Sequence, residues 1–65
     1  MLRYVHRSNA ILRDEPKPSG HILKREMKGA AVTLVSEDKE GWAKVMDGDT
    51  AGYMRSSLLG PVAPK

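Results

Sequence analysis

The chain has 65 residues, a net charge of +3 and no cysteine, so it offers room for one small domain and excludes a disulfide framework or a cysteine-based zinc site. No apolar run approaches the ~18 residues that cross a membrane, and the first residues lack the apolar core of a signal peptide. We therefore expect a cytoplasmic protein if the chain is complete as given, or a cell-envelope domain if it belongs to an exported parent.

Short apolar runs separated by turn residues predict an all-β chain. The elements of the first half are predicted as a lead-in or strand at residues 3–7, a strand at 10–13, a loop at 14–21 and a strand at 22–26. Pro16 and Pro18 lack the N–H that a ladder needs, which favours the loop. Lys28-Gly29 then predicts a turn before a strand in which Val32 and Leu34 share one face.

The second half predicts a β-hairpin between Gly41 and Arg55. Apolar and polar positions alternate after Gly41, and Asp47-Gly48 is a strong signal for a tight turn in which Gly48 takes a positive φ. Gly52 interrupts the returning strand, which indicates a bend or a close approach of another backbone. Residues 55–58 are too few for an α-helix and predict a single 3₁₀ turn.

The predicted core consists of apolar residues that share the inward face of these strands. It contains Leu12, Ile22 or Leu23, Val32, Leu34, Val45 and Leu58 or Leu59, with contributions from Ala43 and Met27. Trp42 has the opposite parity to Val45 along its strand, so we expect the indole to lie partly exposed on the other face.

These motifs, in this order, resemble those of the bacterial Src-homology-3-like (SH3b-type) domain family, which occurs in cell-wall hydrolases and envelope proteins. The matching motifs are Arg13 to Pro16, Lys28-Gly29 with Val32 and Leu34, Gly41-Trp42 with Val45, Gly48 with Gly52-Tyr53-Met54, and Leu58-Leu59. The resemblance implies a small, partly open barrel of five to six strands with one 3₁₀ turn. We assign residues 1–60 to this barrel and residues 61–65 to a linker-like tail.

The chain departs from the family pattern at two places that bear on structure. Ile11 replaces a frequent Asn and offers apolar surface to the core or to a partner. Glu26 stands where the family has an apolar residue, so a bulge that turns Met27 inward, with an irregular register at this point, is expected.

The resemblance also implies a function. In the eukaryotic relatives a proline and a tyrosine wall the groove that binds proline-rich helices; Arg55 and Leu58 replace them here, which argues against such ligands. The bacterial branch implies a peptide or peptidoglycan component, or docking within a cell-envelope or phage-lysin protein. We expect the ligand to lie beside Trp42, between the loops at 14–21 and 37–40. The predicted ligand-binding residues are Trp42, Tyr53, Arg55, Arg13, Asp14 and Glu15.

The sequence favours three other functions less than this one. The two histidines lack carboxylates at ligand spacing, and Asp47-Gly48-Asp49 offers too few oxygens for calcium, so no metal and no cofactor is expected. Ser56 and Ser57 have no neighbouring base, so no enzymatic activity is expected. Residues 1–33 hold seven Lys and Arg against three Asp and Glu, which leaves an intracellular protein-interaction or nucleic-acid-binding barrel as the alternative.

Overall fold

The computed structural model describes residues 1–64, which form one curled antiparallel sheet. Its seven strands are β1 (Leu2–Val5), β2 (Ala10–Arg13), β3 (Ile22–Glu26), β4 (Ala31–Glu37), β5 (Trp42–Asp47), β6 (Thr50–Arg55) and β7 (Leu59–Gly60), with a 3₁₀ turn at Ser56–Leu58. Their order across the sheet is β3-β2-β6-β5-β4-β1-β7, so the half-barrel is open between β3 and β7. This confirms the predicted fold class; the short strands β1 and β7 bring the number of strands to seven.

The β5–β6 hairpin is the most regular part of the sheet. Its register runs without interruption from Trp42 opposite Arg55 to Asp47 opposite Thr50. The two-residue turn between the strands has its positive φ at Gly48 (61°) and not at Asp49. This pattern is typical of a type II′ turn, whose twist matches that of the flanking strands, and it confirms the prediction for Gly48.

Gly52 is the point where strands β2 and β3, here called the β2–β3 arm, approach the hairpin. A Cβ atom at Gly52 would lie 2.6 Å from Leu12 Cγ and 2.9 Å from the Arg13 carbonyl oxygen. β2 pairs with β6 only at Arg13 and Tyr53. The predicted close approach at Gly52 is therefore confirmed, and it lets the arm fold over the hairpin.

The core lies between the β2–β3 arm and the inner face of β4, β5 and β6. Its buried cluster consists of Val5, Ala10, Leu12, Val32, Ala43, Val45 and Met54, with Ala30, Leu34, Leu58 and Leu59 packed against it. Predictions for the core on β2, β4 and β5 are confirmed, with Leu34 half-buried at the margin of the cluster.

The predicted core residues on β3 are wrong. Ile22 and Leu23 are 49% and 46% exposed, Met27 is 66% exposed, and Glu26 is buried in their place. The register explains this, because Glu26 lies opposite Ala10 on the core side of the arm while Ile22 lies opposite Arg13 on the other side. The register of the β2–β3 pair does shift, but at Leu23 rather than at Met27.

The first and last strands lie side by side, with Tyr4 opposite Gly60 and Val5 opposite Leu59. Beyond β7, His6 Nε2 donates a hydrogen bond to the Val62 carbonyl at 2.9 Å. The assignment of residues 61–65 to a linker-like tail stays a prediction, and Lys65 lies outside the described residues. No helix in residues 1–64 is long and apolar enough to span a membrane.

Candidate functional site

Trp42 lies on the face of the hairpin opposite the core, as its parity predicts. Its strand neighbours Ala43 and Val45 belong to the core cluster, and Trp42 does not. The expectation of partial exposure is nevertheless wrong, since Trp42 is only 5% exposed. The guanidinium of Arg55, its cross-strand neighbour, lies 4.4 Å from the centre of the indole ring and helps to cover it.

The turn before β5 fixes the backbone at Trp42. The Asp38 carboxylate accepts hydrogen bonds from the backbone N–H of Glu40 at 2.8 Å and the backbone N–H of Trp42 at 3.0 Å. Such a carboxylate-to-backbone arrangement is typical of an Asx turn. Gly41 has a φ of 89°, and its carbonyl accepts the Ser56 N–H at 2.8 Å. Trp42 therefore stands on a rigid turn that is tied to the 3₁₀ turn.

A cleft of about 260 Å³ opens beside Trp42 on this outer face. It is lined by Arg7, Ser8, Asn9, Ala10, Ile11, Arg13, Pro18, Trp42, Arg55 and Leu58. The lining joins the β1–β2 turn, β2, the 14–21 loop, the start of β5, the end of β6 and the 3₁₀ turn. Its lining contains both apolar side chains and arginines, and none of the lining residues is acidic.

The predicted ligand-binding residues divide into two groups. Those that line the cleft are Arg13, Trp42 and Arg55. Those that do not are Asp14, Glu15 and Tyr53. Tyr53 lies opposite both Lys44 and Arg13 in the sheet, outside the cleft. The 37–40 loop, predicted as its far wall, does not line the cleft; it touches the site only through the Glu40 carbonyl, which accepts a long hydrogen bond from Arg55 Nη1 at 3.5 Å.

Asp14 and Glu15 have roles in folding their own loop. Asp14 Oδ1 accepts the His21 N–H at 2.8 Å, and Glu15 Oε2 lies 3.1 Å from Lys17 Nζ. Arg13 Nη1 donates to the Gly20 carbonyl at 2.8 Å across the loop. These bonds shape the loop that carries Pro18 to the rim of the cleft.

Several cleft residues were absent from the predicted site. Arg7, Ser8 and Asn9 form the turn between β1 and β2, where Asn9 has a φ of 58°. A Ser-Asn pair is a turn signal, but the sequence does not tell on which side of a barrel the turn lies. Ile11 and Leu58 also line the cleft; the sequence predicts apolar surface at Ile11 and, through the resemblance, places Leu58 where the eukaryotic relatives have the groove tyrosine.

A separate polar cluster joins the β2–β3 arm to the end of the hairpin. Lys24 Nζ lies 2.5 Å from Asp47 Oδ2, and Glu26 Oε2 is buried without a hydrogen-bond partner among residues 1–64. Burial, and then the neighbouring Asp47 carboxylate, raise the pKa of Glu26 to about 7. Contacts with Glu26 and with the Lys24 ammonium lower the pKa of Asp47.

Comparison with models of protein families shows to which family this chain belongs. The model of the bacterial SH3 domain matches residues 6–61, which include every strand from β2 to β7. The chain belongs to the bacterial SH3 domain family. Neither the curated proteins nor the solved structures contain a match to it.

Membership in this family indicates a binding module. SH3-type domains are generally non-catalytic and bind peptides or proteins. In this bacterial SH3 domain the cleft beside Trp42 combines apolar surface with guanidinium groups, which are suited to holding an extended polar chain. The family relationship supports the predicted function at the level of a binding module.

Proposed function

We propose that this bacterial SH3 domain is a non-catalytic module that binds a peptide or a peptidoglycan component in the cleft beside Trp42. The observation that carries the proposal is a preformed concave site on the outer face of β2, β5 and β6, lined by Trp42, Ile11, Pro18 and Leu58. Small ligand sites are typically concave, largely apolar and formed before the ligand arrives.

Rigid anchors support the proposal. The Asp38 turn holds Trp42, and the Arg13–Gly20 bond holds the loop that bears Pro18. A site of this kind loses little conformational entropy when a ligand binds, so more of the contact energy appears as affinity. Aromatic and arginine side chains also carry a large share of binding energy in known interfaces.

The size of the cleft limits the bound segment. About 260 Å³ lies just below the ~300–1,000 Å³ of sites that enclose a drug-sized molecule. Such a cleft suits one or two residues of a peptide, with the rest of the ligand lying across the surface. We therefore expect weak binding by one domain.

The test compares binding to purified cell-wall sacculi with binding to labelled oligonucleotides, at low and moderate salt. Trp42 is a poor probe because replacing a buried indole would disturb the fold. Ile11→Ala removes apolar surface from the cleft, and Leu23→Ala, on the exposed part of β3, is the matched control. We expect sacculus binding that falls about threefold or more for Ile11→Ala and is unchanged for Leu23→Ala.

Two outcomes would reject the proposal. One is binding to oligonucleotides only, steeply salt-dependent and indifferent to Ile11, because phosphate contacts dominate nucleic-acid binding; it would favour the basic nucleic-acid-binding alternative. The other is sacculus binding that is the same for both variants, which would place the ligand away from the cleft. Far-ultraviolet circular dichroism of each variant checks that the fold is retained.

A further inference from the structure

Three arginines surround the cleft without an acidic partner. Arg7, Arg13 and Arg55 all line it, and the ion pairs among residues 1–64 join Lys17 to Glu15, His21 to Asp14 and Lys24 to Asp47. The chain has eight acidic residues, and none of them lines the cleft. This concentration of unpaired positive charge predicts an anionic ligand.

Resting on the function proposed above, we propose that the cleft recognises the free C-terminal carboxylate of a short peptide whose last residue is apolar. The carboxylate binds the guanidinium groups, and the last side chain packs against Ile11 and Leu58. The proposal adds to the binding module a chemical class of ligand that the family relationship does not specify.

The guanidinium groups have donors to spare. A guanidinium carries five N–H donors. Arg13 uses one of them on the Gly20 carbonyl, and Arg55 makes one long contact, at 3.5 Å, with the Glu40 carbonyl. Within residues 1–64, the guanidinium N–H groups of Arg7 donate no hydrogen bond. The remaining donors suit the two-pronged geometry with which arginine holds a carboxylate.

A terminal residue fits this cleft better than an internal acidic residue does. In a C-terminal residue the carboxylate and the side chain leave the same Cα, so the charged and apolar groups arrive close together. The cleft brings its arginines and its apolar side chains within one volume of about 260 Å³. An internal Glu would separate its carboxylate from the next apolar side chain and would require the chain to enter and leave again.

The packing of Arg55 on Trp42 adds a reason for strong recognition. The indole face lies 4.4 Å from the Arg55 guanidinium, which orients the group before a ligand arrives. Binding then requires less ordering of a long side chain, which is a main cost in surface recognition. The single Trp of the chain is also placed to report on occupancy through its fluorescence.

The test uses three small probes with a carboxylate at the C-terminus, no carboxylate, or a carboxylate on an internal side chain. They are N-acetyl-Ala-Ala-Ala with a free carboxylate, the same peptide as its carboxamide, and N-acetyl-Ala-Glu-Ala carboxamide. Binding is followed by Trp42 fluorescence and by backbone amide chemical shifts. We expect the free acid to bind at least about tenfold more tightly than either carboxamide, because hydrogen bonds to charged groups are the strong ones.

Arg7→Gln is the first variant, because Arg7 is exposed and its side chain makes no described bond that holds the fold. Arg55→Gln is the second. Lys28→Gln, an equal change of charge in the exposed turn after β3 and outside the cleft lining, is the control. We expect Arg7→Gln and Arg55→Gln each to weaken binding of the free acid about tenfold and Lys28→Gln to change it less than twofold.

The outcomes separate this inference from the proposed function. Equal binding of the acid and its carboxamide, with shifts at Ile11, would overturn the inference and leave a peptide-binding cleft. Equal binding of the Glu peptide would overturn the choice of a terminal carboxylate. If no probe binds while sacculi are still retained through Ile11, the inference is wrong and the proposed function stands; if sacculi are not retained either, both are wrong.

Discussion

Glu26 is the acidic side chain that the fold of residues 1–64 buries. An ordinary Glu titrates near 4.5, and burial beside Asp47 raises the pKa of Glu26 to about 7. Between these two values the folded chain holds a proton that the unfolded chain releases, so the free energy of unfolding falls as the pH rises. Asp47 has the opposite effect below its ordinary value of 3.8, because its pKa is lowered in the fold.

We therefore predict that the domain is most stable near pH 4–5 and loses about 1–3 kcal/mol between pH 5 and pH 8 through Glu26, after allowance for screening by solvent. Thermal unfolding followed by circular dichroism measures this. Glu26→Gln should flatten the decline, while Glu37→Gln, at an exposed position of β4, should leave it in place. If the loss of stability with rising pH persists in Glu26→Gln, a group other than Glu26 causes it.

Two glycines are required for different physical reasons, and their replacement separates those reasons. Gly52→Ala would force a Cβ to within 2.6 Å of Leu12, whereas Gly48→Ala meets no atom within 4 Å but must hold a φ of 61°. We expect Gly52→Ala to lower the free energy of unfolding by about 2–3 kcal/mol through overpacking and Gly48→Ala by about 1 kcal/mol through backbone strain. Urea unfolding measures both, and an equal or reversed order would contradict the account of the β2–β3 arm.

At the scale of elements, one buried and one exposed valine test which faces of β4 and β5 point to the core. Val45 is fully buried on β5, and Val35 on β4 is 54% exposed at a shift of the register. We expect Val45→Ala to cost about 2–3 kcal/mol and Val35→Ala less than about 0.5 kcal/mol. Chemical denaturation checks the pair, and a similar cost for both would mean that the register of β4 on β5 differs from the one described.

The behaviour of β3 shows where alternation stops being informative. Alternation predicts which residues share a face, and it did so for β2, β4 and β5. It does not predict which face another element covers. β3 pairs with β2 alone, so both of its apolar residues, Ile22 and Leu23, stay exposed, and the register shift at Leu23 puts Ile22 on the side away from the core. Trp42 is the converse case, because Arg55 and the cleft walls cover a face that parity placed outside the core.

For the whole molecule, turn chemistry and the order of motifs were sufficient to predict an all-β, partly open barrel, a hairpin with a positive φ at Gly48 and a 3₁₀ turn. Of the candidate site, they predicted Arg13, Trp42 and Arg55, which lie in or beside the regular hairpin. The walls formed by Arg7, Asn9 and Leu58 come from distant turns that meet only in three dimensions. Local sequence cannot predict such meetings, since each turn is compatible with several positions around a barrel.

The adjacency of β1 and β7 has a mechanical consequence. Their antiparallel pairing places the start of β1 and the end of β7 at the same end of a short ladder of two residue pairs. Tension applied through both termini would load the hydrogen bonds of this ladder one after another, rather than all at once in shear. Leu58, which precedes β7, lines the cleft. A pull of modest force would thus separate β7 first and disrupt the cleft beside Trp42 before the core opens.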